Sequence, residues 1–438
     1  MFKMKKTLLM LLCLVGVCSV SKTAYATDYS YLTEKAPEIY TTPSLDSEGK
    51  TNITWFSFVS KPEDKTVTLS YEIELAKNQE FTEAQTFTSV SETLELDKTT
   101  FGANGGKFYI RIRNSVNITG ETPSSAVSPW SEVKEMVFVK INKTNFPGMY
   151  KVLQNGGKES TEKGIKKVIY DTNKDGWLDP VEIENVNSLS TKDTYKKKKG
   201  KQVLTKAPTI SSFKGVEFLT GLDIVSVDRF SGKKADFSNC PAYMVNIKGV
   251  TSKQITVIAP NAEMVWVQPE VDTKITKIDL SKCNNAYEIL AYGNKGTKTL
   301  KLPKNKENLR VLSLSEYGFK SLDLNSYTNL QQLYLYECDM KSVKVNKCKD
   351  LRYIYFYFCD NIKSLNLKSN KKLRGADFYE TPGLTKSTVK RPKNGKYTWN
   401  KGKWWYSTAA YKKDMNKLYN MPAYSQNAND WYGSSVYK

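Results

Sequence analysis

The segment Asp171-Thr-Asn-Lys-Asp-Gly-Trp-Leu-Asp-Pro-Val-Glu182 carries the clearest chemistry in the chain. Oxygen-bearing side chains stand at its positions 1, 3, 5, 9 and 12: Asp171, Asn173, Asp175, Asp179 and Glu182. Gly176 stands at position 6, where the backbone must turn sharply, and Trp177 at position 7 offers its carbonyl. A hard cation needs that many converging oxygens, and Glu182 can supply two. The spacing predicts a calcium site; the plain alternative is an acidic turn that holds no ion. Catalysis has no comparable support. The chain has no His, so Ser-His-Asp, Cys-His and His-ligated zinc chemistry are excluded. No other nucleophile–base set stands out, and the expectation is a protein that is not an enzyme.

The second set of candidate residues is aromatic. Leu309-Arg-Val-Leu-Ser-Leu, Leu330-Gln-Gln-Leu-Tyr-Leu and Leu351-Arg-Tyr-Ile-Tyr-Phe share the pattern L-x-x-L-x-L, and Leu373 opens a fourth copy. Side chains alternate along a strand, so the L positions face a core and the x positions face out. Stacked strands then align the x positions in columns. One column is Ser313, Tyr334, Tyr355, Asp377; the next is Ser315, Tyr336, Tyr357, Tyr379; a third is Val311, Gln332, Tyr353, Gly375, with Phe358 at the rim. Self-stacking on a β-surface would account for part of this, because Tyr favours strands. Tyr also offers rigid contact area with a hydroxyl, the chemistry of binding hot spots. Tyr334, Tyr336, Tyr353, Tyr355, Tyr357 and Tyr379 are therefore the expected ligand-binding surface, for a protein or a glycan.

These positions need a repetitive scaffold. The clear copies start 21, 21 and 22 residues apart, and a second apolar pair follows each start: Leu322/Leu324, Val343/Val345, Leu365/Leu367. Weaker copies start near Leu222, Ala242, Ala262 and Tyr287. A unit of this length cannot bury its apolar side alone, so neighbours must stack into a solenoid. Cys338 and Cys359 fall eight residues into their repeats; Cys240, Cys283 and Cys348 fall three residues past the second pair. Both are expected to be buried turn positions suited to a small, weakly polar side chain. The array resembles the leucine-rich repeats of Gram-positive bacterial surface proteins, including the internalin-like group. That resemblance implies a non-catalytic adhesion or recognition protein.

The calcium-type loop, read as EF-hand-like, needs flanking elements, and residues 158–169 and 181–186 are expected to be helical. Tyr195-Lys-Lys-Lys-Lys-Gly-Lys201 follows as a basic loop. Its bland reading is a solvated loop; its sharper one is contact with an anionic cell-wall polymer. Upstream, short alternating runs such as Val67-Thr-Leu-Ser-Tyr-Glu-Ile-Glu-Leu75 and Phe108-Tyr-Ile-Arg-Ile-Arg113 indicate a small β-sandwich over 35–141. With Trp55, Leu94 and Ser128-Pro-Trp-Ser-Glu132, it resembles a fibronectin type III domain. Phe108 stands where that family usually has its corner Tyr, so the corner hydroxyl bond is lost.

The net charge of +21 is nearly all lysine, with only seven Arg, which favours diffuse solubilising charge over bidentate phosphate recognition. Lys3, Lys5 and Lys6, the apolar run from Leu8 to Val20 and Ala24-Tyr25-Ala26 form a secretory signal over 1–26. Export makes nucleic acid a poor partner, and no later run is long enough for a transmembrane segment. The expected place is secreted, cell surface or cell wall. The expected architecture is multidomain and mainly β. A fibronectin type III-like β-sandwich spans 35–141, and a linker with the short helical calcium-binding segment and basic loop spans 142–209. A leucine-rich repeat solenoid spans 210–394, and an aromatic, Lys-rich cap or attachment segment spans 395–438. An alternative function is an accessory component of a secreted polysaccharide-degrading or cell-wall-associated system, anchored by a dockerin-like calcium segment. A dockerin would carry two such loops, and the sequence carries one.

Overall fold

The computed structural model describes residues 29–59, 63, 66–119, 125–198, 200–393, 396–400 and 403–407, the last two segments by backbone alone. The export signal lies outside the described residues, as does the tail beyond 407. The chain divides into two compact units. One comprises residues up to 40 with 54–94 and 110–134; the other comprises 41–53, 95–109 and 135 onward. The strands Lys50–Phe56 and Gly105–Ile118 pass from one into the other.

The first unit is antiparallel, with Glu38 opposite Phe56 and Tyr71 opposite Ser89. Trp55 is fully buried and meets Tyr71 edge-on, ring centroids 5.2 Å apart. The segment 128–131 is zipped to the strand Gly105–Ile118 by two serines. The Asn114 amide donates to Ser128 Oγ at 2.9 Å and the Ile112 amide to Ser131 Oγ at 3.0 Å. That places the Trp130 ring 4.4 Å from the guanidinium carbons of both Arg111 and Arg113. The same guanidiniums are paired with Glu74 and Glu72, each 2.6 Å away. Such cation–π stacking with ion pairing is a rigid way to cover a strand's outer face.

The second unit holds a β-solenoid. Nine parallel strands line its inner sheet: β1 (Ser188–Thr191), β2 (Ile224–Val227), β3 (Met244–Val250), β4 (Met264–Pro269), β5 (Glu288–Tyr292), β6 (Val311–Ser315), β7 (Gln332–Tyr336), β8 (Tyr353–Tyr357) and β9 (Gly375–Asp377). The second apolar pairs form short parallel strands of their own, such as Ile255 beside Ile278 and Leu322 beside Val343. One continuous apolar core runs from Val137 to Val389 between these layers. The last coil is closed by an antiparallel pair: Asp377 lies opposite Trp405, and the strand Lys403–Ser407 returns against Lys396–Asn400.

All five described cysteines are buried and free. The thiols of Cys283, Cys338, Cys348 and Cys359 lie against carbonyls of the preceding coil, as in Cys348 to Leu324 O at 3.2 Å. Asn370 and Thr381 occupy the same ladder positions and donate in the same way, to Val345 O and Phe356 O. A thiol, an amide and a hydroxyl are interchangeable there because each satisfies one buried carbonyl.

Three expectations are corrected. Residues 158–169 are not helical. Strands Gly157–Thr161 and Gly164–Val168 form a hairpin: Gly156, at φ +84°, ends the preceding short helix, and Gly164, at φ +119° opposite Thr161, closes the turn. Of the two expected helical flanks of the calcium-type loop only the second forms, as Pro180–Asn185. The basic stretch is a hairpin too, with Thr194–Lys198 against Lys201–Thr205. The fifth coil starts at Ala286, which is buried, and not at its exposed neighbour Tyr287.

Candidate functional site

The inner sheet brings the tyrosines together. Parallel pairing aligns Ser313, Tyr334, Tyr355 and Asp377, and beside them Ser315, Tyr336 and Tyr357, while Val311, Gln332, Tyr353 and Gly375 form the third column. Leu312, Leu333 and Ile354, between the columns, are fully buried. Tyr334 and Tyr355 stack nearly parallel, 4.7 Å apart at 8°. Tyr355 also lies 6.4 Å from Tyr353 and 6.3 Å from Tyr357, the latter edge-on. Tyr379 meets Tyr357 at 6.1 Å and Phe358 at 5.4 Å, and Phe358 meets Tyr336 at 5.5 Å. The rings shield one another, so all six tyrosines are half-buried rather than fully in solvent. Each contact of this kind adds about 0.5–1.5 kcal/mol beyond burial and fixes ring orientation.

The strip has polar partners that pattern reading passed over. Tyr334 donates its hydroxyl to Gln332 Oε1 at 2.8 Å, and Tyr357 donates to Asp377 Oδ2 at 3.2 Å. Gln332 and Asp377 were visible as column members; their role depends on side-chain reach, along the strand for Gln332 and between neighbouring strands for Asp377, which a residue pattern does not show.

The calcium-type loop is positioned by a short strand, Trp177–Leu178, paired with Lys140 and Val139, and by the helix Pro180–Asn185. Gly176 has φ +83°, as its position requires. Asp171 Oδ2 accepts from the Gly176 amide at 3.1 Å, and Asp175 Oδ1 from Trp177 at 2.8 Å. Their other oxygens, Asp171 Oδ1 and Asp175 Oδ2, are buried with no hydrogen-bond partner. Burial pushes the Asp175 carboxyl above its ordinary range, with help from Asp171, and burial does the same to Asp179 and Glu182.

The remaining oxygens are engaged. Asp179 Oδ1 accepts from the Glu182 amide at 2.9 Å and Asp179 Oδ2 from the Leu45 amide at 2.8 Å. Glu182 Oε1 accepts from the Thr172 amide at 2.5 Å and hydroxyl at 2.7 Å. Asp179 and Glu182 thus make a capping box for the helix. Asn173 donates to Leu45 O at 3.1 Å, so Leu45 is held at both its amide and its carbonyl. Two orphaned carboxylate oxygens and three raised carboxyls suit a hard cation chemically. Among the described residues, however, no group of three or more His, Cys, Asp or Glu side chains is gathered closely enough to hold a metal ion. In this arrangement the loop acts as a clasp on Leu45.

No family model matches the sequence, and no curated protein matches it. Among solved structures, the functional domain of InlJ from Listeria monocytogenes, described as including a cysteine ladder, is similar over 57% of this chain at 11% identity and a TM-score of 0.22. This chain covers 63% of that one. The solenoid assignment stands on the strand register given above. No helix among the described residues is long and apolar enough to cross a membrane.

Proposed function

We propose that this chain is a non-catalytic extracellular recognition protein, secreted or held at a bacterial surface, that binds a protein or glycan through the inner sheet of a leucine-rich repeat solenoid. The supporting observation is the strip of six tyrosines with fixed orientation across β7, β8 and the turn after β9. Rigid aromatic area loses little entropy on binding, and hydroxyls at its edge give it polar specificity. In this reading the upstream β region is a fibronectin type III-like spacer. A screen of the mature chain against host glycoproteins and glycans finds the partner. The triple variant Tyr336→Ser, Tyr355→Ser, Tyr357→Ser keeps its melting transition and loses that partner. Unchanged affinity in the folded variant removes the strip as the site.

The loop 171–182 is proposed as a structural calcium site. Asp171 and Asp175 would bind first, with their free oxygens, and Glu182 would join by releasing Thr172. Calorimetry with added calcium should give a heat of binding and a higher melting temperature, by mass action on the folded state. Absence of both leaves a capping box and clasp alone.

A further inference from the structure

The other half of the inner sheet carries a cluster of different chemistry. Pairing puts Asn246 beside Trp266 and Trp266 beside Leu290, and the next outward residues are Lys248, Gln268 and Tyr292. Asn246, Lys248, Trp266, Gln268, Leu290 and Tyr292 line a cavity of about 10 Å³. That is about the volume of one water-sized group. Trp266 donates its indole N–H to Glu288 Oε1 at 3.0 Å. Asn246 is only 6% exposed, and its Nδ2 reaches Ser226 Oγ at 3.4 Å while its Oδ1 has no partner. Turning the amide over leaves the other end unpaired instead. A buried, unsatisfied amide end costs about 1–3 kcal/mol.

The backbone here departs from the repeat. The register of β3 against β4 shifts between Ile247 and Val250, with Gly249 at φ +57°. Bulges of this kind re-aim a neighbouring side chain; here that neighbour is Lys248. An orphaned amide, a small cavity, an indole and a bulge thus coincide on three adjacent strands, about 10 Å across at ordinary strand spacing.

We propose that this cluster is a carbohydrate subsite, in which a neutral sugar lies against Trp266 and places one hydroxyl in the cavity at Asn246. The hydroxyl satisfies whichever end of the amide is free, because it both donates and accepts. With the indole N–H held by Glu288 and Lys248 also in the lining, the cluster has no excess of either charge and favours a neutral ligand over an ionic one. The proposal rests on the inner sheet being a recognition surface, and gives that surface a second, chemically distinct place.

The test is affinity electrophoresis of the mature chain in gels containing β-1,3-glucan, mannan, galactan or soluble chitin oligomers. Wild type is expected to be retarded by at least one of them. Trp266→Ala and Asn246→Ala should each cut that retardation at least tenfold, while Val271→Ser, at a 93% exposed position in the turn after β4, keeps it within threefold. Asn246→Ala removes an orphaned buried group, so its melting temperature should equal or exceed that of wild type, which separates lost binding from lost folding. The proposal is overturned if no neutral polysaccharide retards wild type, or if both single variants run as wild type does, which would assign the cavity to an ordered water. Loss of retardation in the triple Tyr variant alone would also overturn it, and would return the sugar to the tyrosine strip.

Discussion

From β6 to β9 the inner sheet repeats without a break; from β2 to β5 the repeat is interrupted, by a slip of register inside β3 and by a longer step into β5. In the first stretch, paired strand starts fall at Val311, Gln332, Tyr353 and Gly375, nearly evenly spaced. Each strand there is followed by a left-handed residue at the same place in its repeat: Glu316, Glu337, Phe358 and Glu380. In the second stretch the starts are Ile224, Met244, Met264 and Glu288, and the register slips at Gly249. That stretch is tied by a contact that no other coil copies among the described residues: Arg229 grips Asp193 with two nitrogens, at 3.0 and 2.7 Å, and reaches Glu270 at 3.6 Å. Regular coils stack equal positions, so one residue type accumulates into a broad uniform strip. Irregular coils make every position unlike its neighbour, and the result is a small discrete cluster.

The contrast can be broken hardest in the core. Leu335→Ala, in a fully packed regular coil, should cost about 2–5 kcal/mol in urea unfolding. Val267→Ala, its counterpart in β4, should cost about 2 kcal/mol for two lost carbons. Equal losses per removed carbon, three in Leu335→Ala and two in Val267→Ala, would mean that regularity does not tighten packing.

Next comes Asp193→Asn, which acts only on the irregular half. Burial pushes the Asp193 carboxyl up, but the Arg229 bonds and the Ala207 amide outweigh it and hold the carboxyl below its ordinary range. A carboxyl lowered by folding contributes stability above its unfolded value, near 4, and loses it as pH falls through the folded value. The variant should therefore lose about 1.5–3 kcal/mol at pH 7 and match wild type near pH 2. The Leu335→Ala deficit should persist at both pH values. Parallel behaviour of the two variants would show that the Arg229 network adds nothing of its own.

Gly249→Ala should cost about 1–3 kcal/mol, because a side chain at that φ is strained and its Cβ would overlap the carbonyl oxygen of Asp228. Wild-type stability in urea would show that the bulge relaxes freely.

What the sequence revealed follows the same divide. Alternation and even spacing made the columns through Tyr334 to Tyr357 readable residue by residue. The cluster at Asn246 and Trp266 was hidden because the register slips at Gly249 and the step into β5 is longer than the others, and Ala286 with Tyr287 shows how one residue of slip turns a face inside out. Lys- and Glu-rich 158–169 looked helical by propensity, and its glycines decided otherwise. The oxygen spacing of 171–182 was plain, but not that Asp179 and Glu182 cap a helix while Asp179 and Asn173 hold Leu45; those partners lie over a hundred residues away or in backbone geometry.

The smallest effect is also the one with opposite sign. Glu337 has φ +50°, a conformation that costs a non-glycine residue about 1–2 kcal/mol. Glycine there removes that strain but frees the unfolded chain, which returns about 0.4–1 kcal/mol. Burial, and then Glu337 itself, push the Glu316 carboxyl above its ordinary range, so deleting Glu337 also relieves a like-charge contact between coils. Against this, Glu337 accepts Lys295 Nζ at its main-chain oxygen, which glycine retains. Glu337→Gly should therefore stabilise the regular half by about 0.5–1 kcal/mol, whereas the substitution at Gly249 destabilises the irregular one. Glu337→Ala keeps the strain and removes only the charge. If it stabilises as much as glycine does, repulsion along the rim rather than backbone strain is what the regular coils tolerate in exchange for their even spacing.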